Sequence, residues 1–133
     1  MEFIRMRNPF AIHLNFDELL GTIPENPKIL PSNIDMIYER CGKFLIGEWK
    51  RPNEKISIGQ SILLNALARQ DNFIVLIITG DTDKEMQVFN IDRLNNQGIL
   101  INKGKNLTDL KTIIWKWHDW VNIPKGQYEL QKP

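Results

Sequence analysis

The stretch 34–51, IDMIYERCGKFLIGEWKR, decides how the fold is read. Residues 34–40 and 44–51 are strand-like runs, and Cys41, Gly42 and Lys43 between them suit a hairpin turn. On the first run Ile34, Met36 and Tyr38 share one face while Asp35, Ile37 and Glu39 share the other. On the second, Glu48 and Lys50 point the same way as Phe44 and Ile46. An acid and a base emerging at the end of a partly apolar face call for a chemical reason.

Downstream, Ile58, Ile62 and Ala66 with Leu63 and Leu67 recur at helical spacing behind Ser57, which predicts an N-capped helix over 57–69 packed on the sheet. FIVLIITG, 73–80, is a nearly unbroken β-branched run, the pattern of a central strand covered on both faces. GDTDKE then turns into a shorter strand, 86–91. Asn106 or Thr108 caps a last helix to about Asn122, with Leu110, Ile113, Ile114, Trp117 and Val121 as its apolar stripe. Upstream, 15–20 predicts a short helix with Asn15 as N-cap, before GTIPENPKILPSN, 21–33, whose three prolines make it an ordered loop. This order predicts an α/β domain built on a mixed central sheet flanked by helices.

The 133 residues, 42% hydrophobic and 25% charged, fit one soluble globular domain over 1–133. Seventeen basic against sixteen acidic residues leave a net charge of +1, which speaks against a uniformly basic nucleic-acid binder. The single cysteine, Cys41, excludes an internal disulfide and a cysteine zinc site. MEFIRMRNPFAIHL lacks the pattern of a signal peptide, and the longest apolar run, 73–78, has six residues. Against the ~20 residues a bilayer span needs, this predicts a soluble, cytoplasmic chain with no membrane association.

Asp35, twelve intervening residues, then Glu48-Trp49-Lys50 is the informative constellation. On neighbouring antiparallel strands the two acids can converge. Two carboxylates with the Trp49 carbonyl make a hard-oxygen site suited to Mg²⁺, which retains waters for a phosphate and a nucleophile. Lys50, on the face of Glu48, can orient that water or offset charge growing on the phosphorus centre. These are the residue types that phosphodiester hydrolysis requires.

The run SNIDMIYERCGKFLIGEWKRPNEKISIGQSILLNALAR, 32–69, resembles the core of the PD-(D/E)XK nuclease superfamily, with its restriction-endonuclease-like fold. Within it, the run is similar to the small VRR-NUC domains and archaeal Holliday-junction resolvases. The first motif, often Pro-Asp, is Ile34-Asp35 here with Pro31 displaced; the second is Glu48-Trp49-Lys50. Lys50, Arg51-Pro52-Asn53, Glu54-Lys55, Ser57 and Gln60 follow the VRR-NUC pattern. The resemblance implies that Asp35 and Glu48 ligate Mg²⁺ or Mn²⁺, that Lys50 serves the attacking water, and that Gln60 orients Lys50 or the phosphate. The bland reading of Gln60 is a helix-capping residue. An acid from the first helix often joins such sites, and Glu18 is the best candidate, ahead of Asp17 and Glu25.

Arg51 and Lys55 flank the site as phosphate contacts, and Lys43, Arg69, Lys103 and Lys105 extend a basic surface. Trp49 faces away from the catalytic side, and Trp115 lies off the stripe of its helix. His13 and His118 have no metal-ligand spacing, and no phosphate-cradling glycine loop or serine-hydrolase elbow is present. The expectation is a Mg²⁺- or Mn²⁺-dependent endonuclease, a homodimer acting on branched DNA. The alternatives are a nuclease of flaps, single strands or duplex ends, and a nuclease-like fold that only binds DNA or a protein partner. Carboxylates clustered at a metal site would offset a basic rim, so a near-zero total charge is compatible with DNA as the partner.

Overall fold

The structure, a computed structural model, describes residues 14–123 and 132–133. The expectations for the N-terminal 1–13, including His13, lie outside them. The chain divides into two units, Met1–Asn33 and Ile34–Pro133.

In the first unit, the helix expected over 15–20 is a single 3-10 turn, Asp17–Leu19. Asn15 Oδ1 accepts the Asp17 N–H at 2.8 Å. One turn is too short to propagate, and Gly21, with φ of +79°, ends it. The loop that follows is tied by the Gly21 N–H donating to the Pro27 carbonyl at 2.8 Å.

The second unit is α/β. Its strands are β1 (Met36–Arg40), β2 (Lys43–Lys50), β3 (Phe73–Asp81), β4 (Gln87–Leu94) and β5 (Leu100–Gly104), with helices α1 (Ile58–Ala68) and α2 (Leu107–Val121). The sheet runs β1-β2-β3-β4-β5. Only β2 and β3 are parallel, joined through α1; every other neighbour is antiparallel, so the sheet is mixed as expected.

The β1–β2 hairpin closes through two residues, Cys41 and Gly42, rather than the expected three, since Lys43 already pairs with Arg40. Both turn residues have positive φ, 55° and 76°, as a tight hairpin twisting with its strands demands. β3 explains its own apolar run. Ile74, Leu76 and Ile78 pack on the α2 side with Leu45, Ile91, Leu110, Trp117, Trp120 and Val121. Val75 and Ile77 pack on the α1 side with Ile46, Leu64, Ala68 and Leu94.

Three expectations need correction. β4 extends to Leu94, and a fifth strand follows it; β5 is an exposed edge, and Ile99, just before it, runs on into Leu100 and Ile101 without the alternation that marks a half-buried strand. The apolar row assigned to α1 is rotated: Ile58 and Ile62 are 82% and 65% exposed, and Leu64 and Ala68 are the buried pair. At ~100° per residue, Leu64, Leu67 and Ala68 lie beneath Gln60, and Ile58 and Ile62 lie on the far side of the helix. On α2, Trp120 joins the buried stripe, while Trp115, off that stripe, is exposed.

Candidate active site

The hairpin register creates the site. Met36 pairs with Gly47, and one further step sets Asp35 opposite Glu48 on the α1 face, just where β1 ends and β2 runs on. The Trp49 N–H, deprived of a β1 carbonyl there, donates instead to Asp35 Oδ2 at 2.9 Å. A strand residue presents its N–H and C=O to the same edge, so the Trp49 carbonyl faces that edge as well. The Trp49 side chain packs on the opposite face, against the α2-side core, as its alternation predicts.

Glu48 is 5% exposed, and it is the buried charged side chain among the described residues. Its carboxyl is pushed up from 4.5 to about 7. Burial is the largest cause, followed by the charge of Asp35; hydrogen bonding to Asp35 and the charge of Glu54 add to it, and the Gln60 hydrogen bond opposes it. Near pH 7 the Glu48 carboxyl is therefore about half protonated.

Gln60 reaches this carboxylate because of how α1 starts. Ser57 is the N-cap, its hydroxyl accepting the Gln60 N–H at 3.2 Å. In a capping box, a glutamine at this third helical position turns its side chain back to the cap. Here the Gln60 amide Nε2 donates to Glu48 Oε1 instead. The backbone of Gln60 serves the cap while its side chain serves the acid.

Lys50, two residues beyond Glu48 on the same face, lines a cleft of about 340 Å³ together with Glu54, Lys55, Ser61 and Asn65. No ion pair joins Lys50 to either acid among the described residues. Glu54, part of the motif pattern but given no role at the site from the sequence, accepts the Arg51 N–H on its Oε2 at 2.9 Å across the Pro52-Asn53 turn, and its charge acts on Glu48. The sequence signal was an acid three residues after Arg51, the spacing of a side chain closing a turn.

The remaining candidates scatter. The Arg51 guanidinium pairs with Asp83 at 3.0 Å, both largely exposed, an ion pair of small energetic weight. Lys55 lines the cleft. Lys43 lies at the far end of β2, its ammonium 4.3 Å from the Trp120 ring centre. Arg69 is the C-cap of α1, at the helix end opposite Gln60. Glu18 belongs to the other unit, exposed on its 3-10 turn.

The donors at the site are all oxygen: two carboxylates and a backbone carbonyl. That set fits a hard divalent cation, which would relieve the repulsion between Asp35 and Glu48. No group of three acids, histidines or cysteines is placed to hold a metal among the described residues, so further ligands would be waters, as Mg²⁺ prefers. No helix among them is long and apolar enough to cross a membrane. Comparison with protein-family models, curated proteins and solved structures finds no match.

Proposed function

We propose that this chain is a metal-dependent nuclease of the PD-(D/E)XK kind, hydrolysing phosphodiester bonds in DNA, with branched junctions as its preferred substrate. The observation that carries the reading is Asp35 set against a buried Glu48 whose carboxyl rises to about 7, with Gln60 on one of its oxygens and Lys50 on the same face. A purely structural acid in that position gains nothing from a second carboxylate beside it; a cation ligand does.

Asp35, Glu48 and the Trp49 carbonyl would hold Mg²⁺ or Mn²⁺. When bound, such an ion polarises the phosphodiester and lowers the pKa of its water. Gln60 fixes one oxygen of Glu48, leaving the other for the ion. The Asp35 oxygen that accepts from Trp49 is likewise held, so both carboxylates are oriented before a ligand arrives. Lys50 lies toward the cleft, where its ammonium orients the attacking water and offsets the charge gathering on the phosphate. Lys55 lines the same cleft as a phosphate contact, and Arg51 can exchange Asp83 for a phosphate. A homodimer would supply a second such site for paired nicks on opposing strands.

Labelled four-way junctions, flaps, single strands and linear duplex are incubated with the protein and Mg²⁺. The junction is cut fastest, and Glu48→Gln and Lys50→Met each lose about a thousandfold or more. A wild-type protein that cuts no DNA, or a Glu48→Ala variant with full activity, overturns the reading; faster cutting of flaps or ends than junctions replaces the substrate.

A further inference from the structure

On the sheet face opposite Glu48, a cleft of about 250 Å³ opens between α2 and strands β3 to β5. Arg93 from β4, Lys103 from β5 and Lys116 from α2 converge on it, above a floor that includes Leu76, Ile113 and Trp117. Arg93 is there by register: it pairs with Leu76 on one side and Ile101 on the other, so its side chain emerges on the α2 face among aliphatic neighbours. We propose that this cleft is a phosphate-binding site, taking the phosphate of a small phosphomonoester or of a nucleic-acid end.

Two independent features point to an anionic ligand. Arg93 Nε and Trp117 Nε1 are the buried side-chain polar atoms that lack any hydrogen-bond partner among the described residues, and both belong to this one cleft. Trp117 is 3% exposed, so its N–H has no recourse to bulk water. Buried donors in native proteins nearly always have acceptors, and two orphans lining one cleft point to a ligand as the acceptor. The second feature is charge. None of Arg93, Lys103 and Lys116 is in an ion pair among the described residues.

Lys132 adds a fourth positive charge close by, its ammonium donating to the Gln70 carbonyl at 3.2 Å. Burial first, then the charge of Arg93, lowers the Lys132 ammonium, and Asp71 opposes this. Burial alone lowers the Arg93 guanidinium. Asp71 offsets this only at Lys132; Arg93, Lys103 and Lys116 are in no ion pair among the described residues, an arrangement that an oxyanion stabilises.

The chemistry favours phosphate over carboxylate. One arginine fork satisfies a carboxylate, whereas cations from three separate elements surround a tetrahedral dianion. The volume admits a phosphate and a few further heavy atoms, and the aliphatic walls keep water from competing with the charge. The site lies across the sheet from Asp35 and Glu48, and nothing in it depends on the nuclease reading.

The test is titration in EDTA, where no divalent cation fills the other site, following the Trp117 indole N–H resonance, assigned with Trp117→Phe. The probes are inorganic phosphate, a nucleoside 5′-monophosphate, and a short oligonucleotide with either a 5′-phosphate or a 5′-hydroxyl. The Trp117 signal is expected to shift with every phosphate-bearing probe. Arg93→Gln and the double variant Lys103→Gln with Lys116→Gln should each weaken binding by about tenfold, and Lys111→Gln, on α2 outside the cleft, leaves it unchanged. Tighter binding of the 5′-phosphorylated strand than of the small probes assigns the site to nucleic-acid ends; equal binding assigns it to small phosphomonoesters. No Trp117 shift up to about 20 mM phosphate, or full affinity in both cleft variants, overturns the proposal. Should Arg93→Gln not fold, the exposed lysine pair decides alone.

Discussion

The two helices of the Ile34–Pro133 unit cover opposite faces of one sheet and do different work. α2 buries Leu110, Trp117, Trp120 and Val121 against β3 and β4, and Asn106 caps its start by accepting the Asp109 N–H. α1 fully buries only Leu64 and Ala68, and its first turn faces the sheet with a glutamine. The larger apolar core holds the sheet together from the α2 side. That frees the α1 side to keep Glu48 buried beside a second acid, an arrangement that costs stability.

The largest expected effect tests the stronger side. Trp120→Ala removes a ring that is 6% exposed and carries the Lys43 ammonium on its face, and should cost about 3–5 kcal/mol by chemical denaturation. Leu64→Ala, the equivalent deletion on α1, should cost about 2–3 kcal/mol because it opens toward an already polar cleft. Equal losses would mean that the two faces share the stability.

The weaker side should announce itself through pH. Glu48 has a folded-state pKa of about 7 against 4.5 unfolded, so between those values the folded chain binds more protons than the unfolded one. This group's contribution is therefore most favourable below pH 4.5 and is lost as pH rises toward 7, by on the order of 3 kcal/mol without a divalent cation. Glu48→Gln should flatten that slope, measured as the unfolding midpoint across the window. Asp35→Asn should flatten it only in part, because burial is the larger cause. A wild-type slope of opposite sign would remove the basis for pairing these acids.

How much of this was legible beforehand depends on what each residue's role rests on. Alternation gave β1, β2 and the double-sided run of β3, because side-chain period is a local property. Asp35, Glu48, Lys50 and Gln60 could be selected by residue type and spacing, but their convergence rests on the turn. A two-residue loop at Cys41-Gly42 sets Asp35 opposite Glu48, and the three-residue loop read from the sequence would have displaced that pairing. The rotation of α1 was hidden because Ile58, Ile62 and Ala66 make as regular an i, i+4 row as the buried Leu64 and Ala68, and nothing local says that Gln60 must face Glu48. β5 and the Arg93 cleft were invisible, since an exposed edge has no alternation and an orphaned donor exists only in three dimensions.

Gln60 is where the two properties of α1 separate. Gln60→Ala keeps the Ser57 cap, which uses the backbone N–H, while Glu48 loses the one hydrogen bond that favours its charged form. The Glu48 carboxyl should rise further above 7, shifting the acid limb of the cleavage profile to higher pH, with about a tenfold loss of rate at neutral pH. Recovery of that rate on raising the pH distinguishes the loss of this hydrogen bond from a misfolded helix. A uniform drop at every pH would make Gln60 a packing residue.

The smallest effect should come from the residues that hydropathy alone ranked highest on α1. Ile58 and Ile62 lie about 160–200° around the helix from Gln60, and both are largely exposed. Replacing both by serine removes no buried contact in the unit and loses only a little helix propensity at each position. The double variant should therefore stay within about 0.5 kcal/mol of wild type, with cleavage unchanged. A cost of several kcal/mol would mean that these isoleucines are covered in the folded protein, and α1 would then be anchored on two sides instead of one. The contrast between the helices would collapse with it, because α1 would hold Glu48 by packing as firmly as α2 holds the sheet.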